Sequence, residues 1–329
     1  MNTKRWIAIA VVIVLAVVSI GFKVVTTFTS ALLSDRFEMT DTYMEEEIVI
    51  DGNPLEKIAV LNLTGTIQDI AATPFTAEGY NHQFFLDMID QAADDPNVKA
   101  IVLEVDSPGG AVTETAEIHR KLVELKENYD KPIYVSMGNM AASGGYYISA
   151  PADKIFAEAS TLTGSIGVIM QSLNFAGLAE QYGIEFNTIK SGKHKDIMSP
   201  AREMTEEEHD IMQSMIDEMY DDFVDVIVDG RDLSESHVRE VGDGRIYTGK
   251  QAIEVGLVDE IGSRDDTIFQ MIDDYGLQDP QVVQYGYGLG YFSNFFMTVN
   301  NFINGGNDEL DTVMKLIEGS DQPRAMYIY

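Results

Sequence analysis

The chain has 329 residues, 45% of them hydrophobic, which suffices for one large core or two modest ones and excludes a disordered protein. It contains no cysteine, so disulfides, thiolate metal sites and cysteine nucleophiles are excluded. A formal net charge of −32 repels nucleic acid and anionic lipid headgroups alike, which removes both as partners.

The N-terminus has the opposite polarity. Residues 1–5 carry Lys4 and Arg5, and Trp6 to Phe22 is an uncharged apolar run of 17 residues closed by Lys23. As a helix that run spans about 26 Å, close to the roughly 30 Å of bilayer hydrocarbon. Lys23 can snorkel while Val24 and Val25 extend the span. The pattern predicts a cytoplasmic segment at 1–5 and a membrane anchor at 6–25, with the remainder outside the cytoplasm. A cleaved signal peptide is the rival reading, and Thr29-Ser30-Ala31 would be its cleavage site. Without residues 1–23 the chain holds 19 basic against 54 acidic side chains. These are dispersed, as on a solvated surface suited to a salty or alkaline exterior. Residues 26–55 have little periodicity and are expected to be a stalk.

Lys57–Leu63 reads as a strand, followed by a helix over 81–93 with Phe85, Met88, Ile89 and Ala92 on one face. Val98–Val105 is a buried strand running into Asp106-Ser107-Pro108-Gly109-Gly110, then an amphipathic helix with Ile118, Leu122 and Leu125. A Pro-Gly-Gly turn between strand and helix has free backbone N–H groups that can point at an anion. The arrangement then repeats: a strand over 132–137, a small-residue turn over 138–145 containing Ser143, and a helix over 144–150. Two consecutive units of this kind place both turns at the carboxyl ends of neighbouring parallel strands, where α/β folds bind ligands. One turn offers a serine hydroxyl, the other backbone donors from Gly109 and Gly110, as in a nucleophile facing an oxyanion hole.

Thr163-Gly164-Ser165-Ile166-Gly167 is a further glycine-bracketed serine, expected to lead into a strand. A helix over 174–182 and a strand over Phe186–Ile189 deliver the chain to Lys190-Ser191-Gly192-Lys193-His194-Lys195-Asp196, a basic cluster in an acidic protein. A long amphipathic helix over 205–228 presents Met212, Met215, Ile216, Met219, Phe223, Val226 and Ile227, a stripe for core or oligomer contacts. Residues 244–252 and 255–262 predict a turn, a short helix and an edge strand. The end of the chain, from Gln281 to Tyr329, has no clear pattern. Its apolar tail from Arg324 to Tyr329 resembles a signal-peptide fragment and is expected to enter a substrate groove, its own or a neighbour's.

A serine nucleophile needs a base. Of the five histidines, His119 and His209 read as exposed helix residues, His82 and His237 lie near helix starts, and only His194 lies in a candidate loop. Ala141 replaces the first glycine of a Gly-x-Ser-x-Gly elbow, and no HExxH motif is present. A lysine is the alternative: a free amine pKa of about 10.4 must fall to about 7–8, which burial can achieve, with a hydroxyl such as Ser165 to aim the amine.

Taken in order, Asp106–Gly110, Ala142–Tyr147, Thr163–Val168, Ser191–Asp196 and Gly244–Gly249 resemble the signal peptide peptidase A family of membrane-anchored Ser-Lys peptidases, over residues 56 to 262. The resemblance implies Ser143 as nucleophile, Lys195 as base and Ser165 as the lysine-orienting hydroxyl, with the N–H groups of Gly110 and Gly144 as the oxyanion hole. Asp106 stands where many relatives carry Asn. The resemblance also implies an α/β fold of stacked β-β-α units, similar to the Clp protease and crotonases. The peptidase domain would span 56–284, with a tail over 285–329, no cofactor and no metal. The partners implied are signal peptides and other short apolar peptides, the membrane, and further copies of the chain in a ring in which serine and lysine come from neighbours. Two other functions fit the same motifs: a catalytically silent membrane-anchored ring scaffold, and a crotonase-like acyl-CoA enzyme.

Overall fold

Every residue of Ile58–Leu61 and of Ala100–Leu103 is apolar and essentially without solvent contact, a pattern that strands satisfy only when both faces of their sheet are covered. The computed structural model describes residues 44–69, 80–287 and 325–329. Nearly all of them belong to one compact unit, which takes in Glu46–Gly286 and the end of the chain. The expected membrane anchor lies outside the described residues.

The order begins β1 (Met44–Ile50), β2 (Asn53–Thr64), α1 (His82–Asp94), β3 (Val98–Ser107), β4 (Gly109–Ala111), α2 (Val112–Tyr129), β5 (Ile133–Ala142), α3 (Gly144–Ser149), β6 (Lys154–Ala157) and β7 (Leu162–Gly164). It continues with α4 (Ala176–Gln181), α5 (Glu206–Arg231), α6 (Glu235–Val241), β8 (Ile246–Thr248), α7 (Gly249–Glu254), β9 (Glu260–Ile261), α8 (Arg264–Tyr275), β10 (Pro280–Tyr287) and β11 (Met326–Ile328). Among the described residues the main sheet runs β1-β10-β2-β3-β5-β6-β9, with β7 on β5 and β8 on β7. The pairs from β10 through β9 are parallel and β7–β8 is antiparallel, so the sheet is mixed. On one face Ile58, Val60, Ala100, Val102, Tyr134 and Phe156 pack with Ile268 and Met271 of α8. Alternation leaves Ala59, Leu61, Ile101 and Leu103 for the other face. Each fully buried Leu or Ile contributes about 1.5–3 kcal/mol.

Helix starts follow local chemistry. The Asn81 side chain accepts from Phe84 N at 2.9 Å, and Thr205 and Ser263 form reciprocal capping boxes with Glu208 and Asp266.

Several expected elements differ. The strand expected to stop at 137 continues to Ala142, because its first half pairs with β6 at Tyr134–Met137 and its second with β7 at Met140–Ala142. The turn is thereby confined to Ser143. The strand beside Ser165 precedes the serine, as β7, and no strand follows it. Phe186–Ile189 is not a strand: among the described residues it pairs with no neighbour, and Ile189 is fully exposed. Of the long helix's stripe only Phe223 and Ile227 are buried, whereas Met215 is exposed, so its N-terminal half contributes little to the core of the protomer. His119 is not exposed: it lies edge-on to Tyr147 with ring centroids 5.2 Å apart, and burial pushes its pKa down to about 4. Of the expected stalk, residues 44–55 hold β1 and the start of β2.

Candidate active site

Parallel pairing of β3 with β5 sets Ser107 opposite Ala141, so the turns that follow the two strands are neighbours. Ser143 turns the chain from β5 into α3 with φ 53° and ψ −116°, a conformation L-residues rarely adopt. It is held there by its N–H, which donates to Gly164 O at 2.7 Å. This is a strained strand-to-helix corner of the kind that can present a serine hydroxyl for attack, formed without the first glycine of the usual motif. Ser143 is completely buried, and among the described residues its Oγ has no hydrogen-bond partner. A buried polar atom without a partner is rare and marks a place where a group is expected to arrive.

The two candidate oxyanion donors converge. A Cβ on Gly144 would come 3.1 Å from Gly110 N and 2.9 Å from Thr115 Oγ1, so the corner closes only with glycine there. Gly109 has φ +98°, and a Cβ on it would come 2.6 Å from Gly144 N. β4 is braced on one side by Ile67, whose N–H donates to Gly109 O at 2.9 Å and whose carbonyl accepts from Ala111 N at 2.7 Å.

On its other side β4 carries the chain's own tail. β11 pairs with it antiparallel, Met326 opposite Ala111, Tyr327 opposite Gly110 and Ile328 opposite Gly109. Val112 N donates to Ala325 O and Tyr329 N donates to Pro108 O at 3.0 Å, so by antiparallel alternation Gly110 and Tyr327 are the hydrogen-bonded pair between them. The Tyr327 carbonyl is thus directed to the Gly110 N–H. The position a Gly109 Cβ would take lies 2.0 Å from Tyr327 O and 2.6 Å from Gly144 N, so the tail carbonyl and the second candidate donor flank the same glycine. Beyond β4, Met326 exchanges two hydrogen bonds of 3.0 Å with Ile169, so the tail lies as a strand between two backbones.

Tyr327 fills a pocket. Its ring is stacked on Tyr147 at 5.0 Å and tilted against Phe223 at 4.8 Å, and its hydroxyl donates to Met219 O at 3.0 Å. Burial raises the Tyr147 phenol to about 12 and pushes Tyr327 higher still, so both are neutral. Sequence reasoning placed the tail in a groove but missed this pocket. Phe223 reads as a core residue of an amphipathic stripe, and nothing local marks it as facing a peptide.

Ser165 follows the strand that runs beside Ser143, because β7 pairs with β5 up to Ala142–Gly164. It too has a positive φ, 51°, and its N–H donates to Arg245 O at 2.8 Å.

Lys195 sits apart, on the loop between α4 and α5. Lys190 pairs with Asp196 and donates to Lys193 O at 2.8 Å, while Lys193 pairs with Glu207. Arg202 clamps the loop to α5, donating to Asp196 Oδ1 at 2.7 Å and to Glu208 Oε1 at 2.6 Å. These bonds, those from Arg202 foremost, hold both carboxyls well below the usual carboxylate range. Among the described residues Lys195 Nζ alone of the three loop lysines has no hydrogen bond or ion pair, and the side chain is exposed. Within the protomer Ser143 and Lys195 are therefore not brought together. His194 is no substitute, since its ring nitrogens face Glu207 and Glu208 at 3.3 and 3.5 Å.

Residues 126–278, which include Ser143, Ser165 and Lys195, match the model of peptidase family S49. The chain is 38% identical to a protein of Enterococcus faecium named "Putative signal peptide peptidase SppA", with 100% of this chain and 99% of that one aligned. The chain belongs to peptidase family S49. This S49 peptidase is also 39% identical to a "Putative protease" of Methanocaldococcus jannaschii, over 67% of this chain and 73% of that one. It is 37% identical to Protease 4 of Haemophilus influenzae, over 66% of this chain but 34% of that longer protein. Membership of the family makes the molecule a serine peptidase acting on peptides, and the corner at Ser143 has the geometry such chemistry requires.

Proposed function

We propose that this S49 peptidase hydrolyses apolar peptides, remnant signal peptides among them, with Ser143 as nucleophile and Lys195 of a neighbouring copy as base. The observation that carries this reading is a pair of complementary orphans: a buried hydroxyl with no partner beside two backbone donors, and an exposed amine with none on a clamped loop. The mechanism conserves protons. Uncharged Lys195 takes the Oγ proton as Oγ bonds to the scissile carbonyl carbon, and the N–H groups of Gly110 and Gly144 hold the oxyanion. The proton passes to the leaving amine as the C–N bond breaks. Lys195 then takes a proton from water, whose oxygen adds to the acyl carbon and frees Ser143. An ammonium in bulk water is not a general base, so the neighbour must also bury the lysine, with the Ser165 hydroxyl to aim it.

The exposed apolar side chains before the loop, among them Leu173, Tyr182, Ile184 and Ile189, suit contact between copies in a ring. The stacked-unit fold of the Clp protease and crotonases accommodates the parallel β3–β5 pair with both turns at one edge. The N-terminal apolar run supports a single-pass anchor with the peptidase outside the cytoplasm, spanning 56–284 as a domain. The tail strand supports occupation of the cleft by the protein itself, which must leave before a substrate enters.

Treatment of the membrane-extracted protein with a fluorophosphonate, followed by mass-spectrometric mapping, tests the reading. An adduct on Ser143 is expected. An intact Ser143 in a protein whose tail has been displaced would favour the silent scaffold.

A further inference from the structure

The loop that carries Lys195 belongs to no helix or strand. Its backbone makes successive turns, in which Lys195 N donates to Gly192 O at 3.3 Å, Ile197 N to His194 O at 3.1 Å and Ser199 N to Asp196 O at 3.0 Å. A lysine on such a loop sweeps a wide volume, whereas a general base must stay within hydrogen-bond reach of one hydroxyl. Arg202 supplies the hold. It forks onto Asp196, the residue after Lys195, with Nε to Oδ2 at 2.9 Å and Nη2 to Oδ1 at 2.7 Å, and Nη2 also reaches the Asp196 carbonyl at 3.1 Å. Its other edge forks onto Glu208, with Nη1 to Oε2 at 2.7 Å and Nη2 to Oε1 at 2.6 Å. Glu208 is buried and fixed by the Thr205 capping box in the first turn of α5, while the Arg202 carbonyl accepts from Asn174 Nδ2 at 3.0 Å. The guanidinium thus ties the residue beside Lys195 to a rigid helix start, and is itself pinned from the segment before α4.

We infer that Arg202 is a positioning residue of the reaction: its double fork sets where Lys195 stands, so its effect is delivered to the Ser143 of a neighbouring copy and not to that of its own chain. This rests on the reading of Lys195 as a base supplied by a neighbour. Arg202 acts only through the lysine, because its five N–H groups are all engaged by Asp196, Glu203 and Glu208 and none is left for a substrate. Lysine cannot replace the fork, since its three donors sit on one nitrogen and cannot grip two carboxylates edge-on. Misplacing a reacting group by about 1 Å costs about 100-fold in rate, so R202A should lower kcat by about that factor and leave KM within a few-fold.

The test places the substitution on one side of the pair or the other. In a reference assembly of full chains, S143A copies supply the lysine and K195A copies supply the serine, and turnover of a fluorogenic apolar peptide is measured. R202A added to the S143A chain should remove about 100-fold of the recovered turnover, whereas R202A added to the K195A chain should leave it within about twofold of the reference. Both mixtures contain the same share of R202A chains, so a defect of folding or assembly would lower both alike. Equal loss in the two mixtures would make Arg202 a structural residue and overturn the inference, as would retention in both. If R202A chains do not assemble, R202K, which keeps the charge without the fork, takes their place and should show the same asymmetry. An inactive reference assembly would count against the pairing of Ser143 with a neighbour's Lys195. Separately, R202A in an otherwise unaltered chain with kcat within about twofold of wild type would overturn the role of Arg202 alone.

Discussion

Removing the Tyr327 side chain from the full-length protein should activate it. The ring is buried between Tyr147 and Phe223, and truncating a buried aromatic to alanine costs about 3–5 kcal/mol, the hydroxyl's bond to Met219 O included. That loosens the tail by roughly 10²- to 4 × 10³-fold. While the tail lies on β4, only the fraction of molecules with an open cleft can take substrate, so kcat/KM is reduced by that fraction. If the cleft is open less than about a tenth of the time, as the buried ring and the double-sided ladder imply, Y327A should raise kcat/KM at least about tenfold. The rise ends once the cleft is open in nearly every molecule. The assay is initial-rate turnover of a fluorogenic apolar peptide, with S143A as the blank. Y327F, which keeps both ring contacts, should fall between wild type and Y327A. A Y327A rate within twofold of wild type would show that the tail does not limit access, and a lower rate would assign the ring a structural role.

Substituting Ser143→Ala should abolish turnover, and Lys195→Ala should reduce it by about 10²–10⁴-fold, as initial rates of peptide cleavage would show. Gly109→Ala should lose activity and about 1–3 kcal/mol of stability in chemical denaturation, because its Cβ would meet Tyr327 O at 2.0 Å from a backbone at φ +98°. Asp274 is lowered to about 2 by hydrogen bonds from Lys154, Tyr134 and Gln270, so its unfolded form binds the proton first as pH falls. Its stabilisation should be complete above about pH 5 and vanish towards pH 2, and D274N should flatten that part of the acid-unfolding profile. With a net charge of −32, screening should raise the melting temperature between low and molar salt, as differential scanning calorimetry would measure.

The tight corner at Ser143 was legible because its requirements are local. A serine flanked by alanines and glycines after an apolar run fits a tight strand-to-helix turn, and the Ser-Pro-Gly-Gly stretch marked a second turn, although the Gly109 N–H expected to be free donates to Ser107 Oγ at 3.1 Å. The parallel arrangement of β3 and β5 followed from two strand-turn-helix units in succession. The length of β5 did not, because it depends on β6 and β7 sharing one strand between them. Phe186–Ile189 has the composition of a strand, but composition cannot supply the neighbour a strand requires. The peptide pocket was hidden for the same reason: Tyr147, Phe223 and Tyr327 are separated by 76 and 104 positions and meet only after folding. Composition left Lys195 as one of three loop lysines, the resemblance pointed to it, and in the structure the other two are taken up by ion pairs.

The account depends most on Ser143 of one copy meeting Lys195 of the next, and mixing two inactive variants tests this directly. Co-assembled S143A and K195A chains should recover about a quarter of wild-type activity per site, because in a randomly mixed ring that fraction of sites pairs an intact serine with an intact lysine. Mixed assemblies as inactive as either parent, with exchange of subunits confirmed by differential labelling, would contradict it.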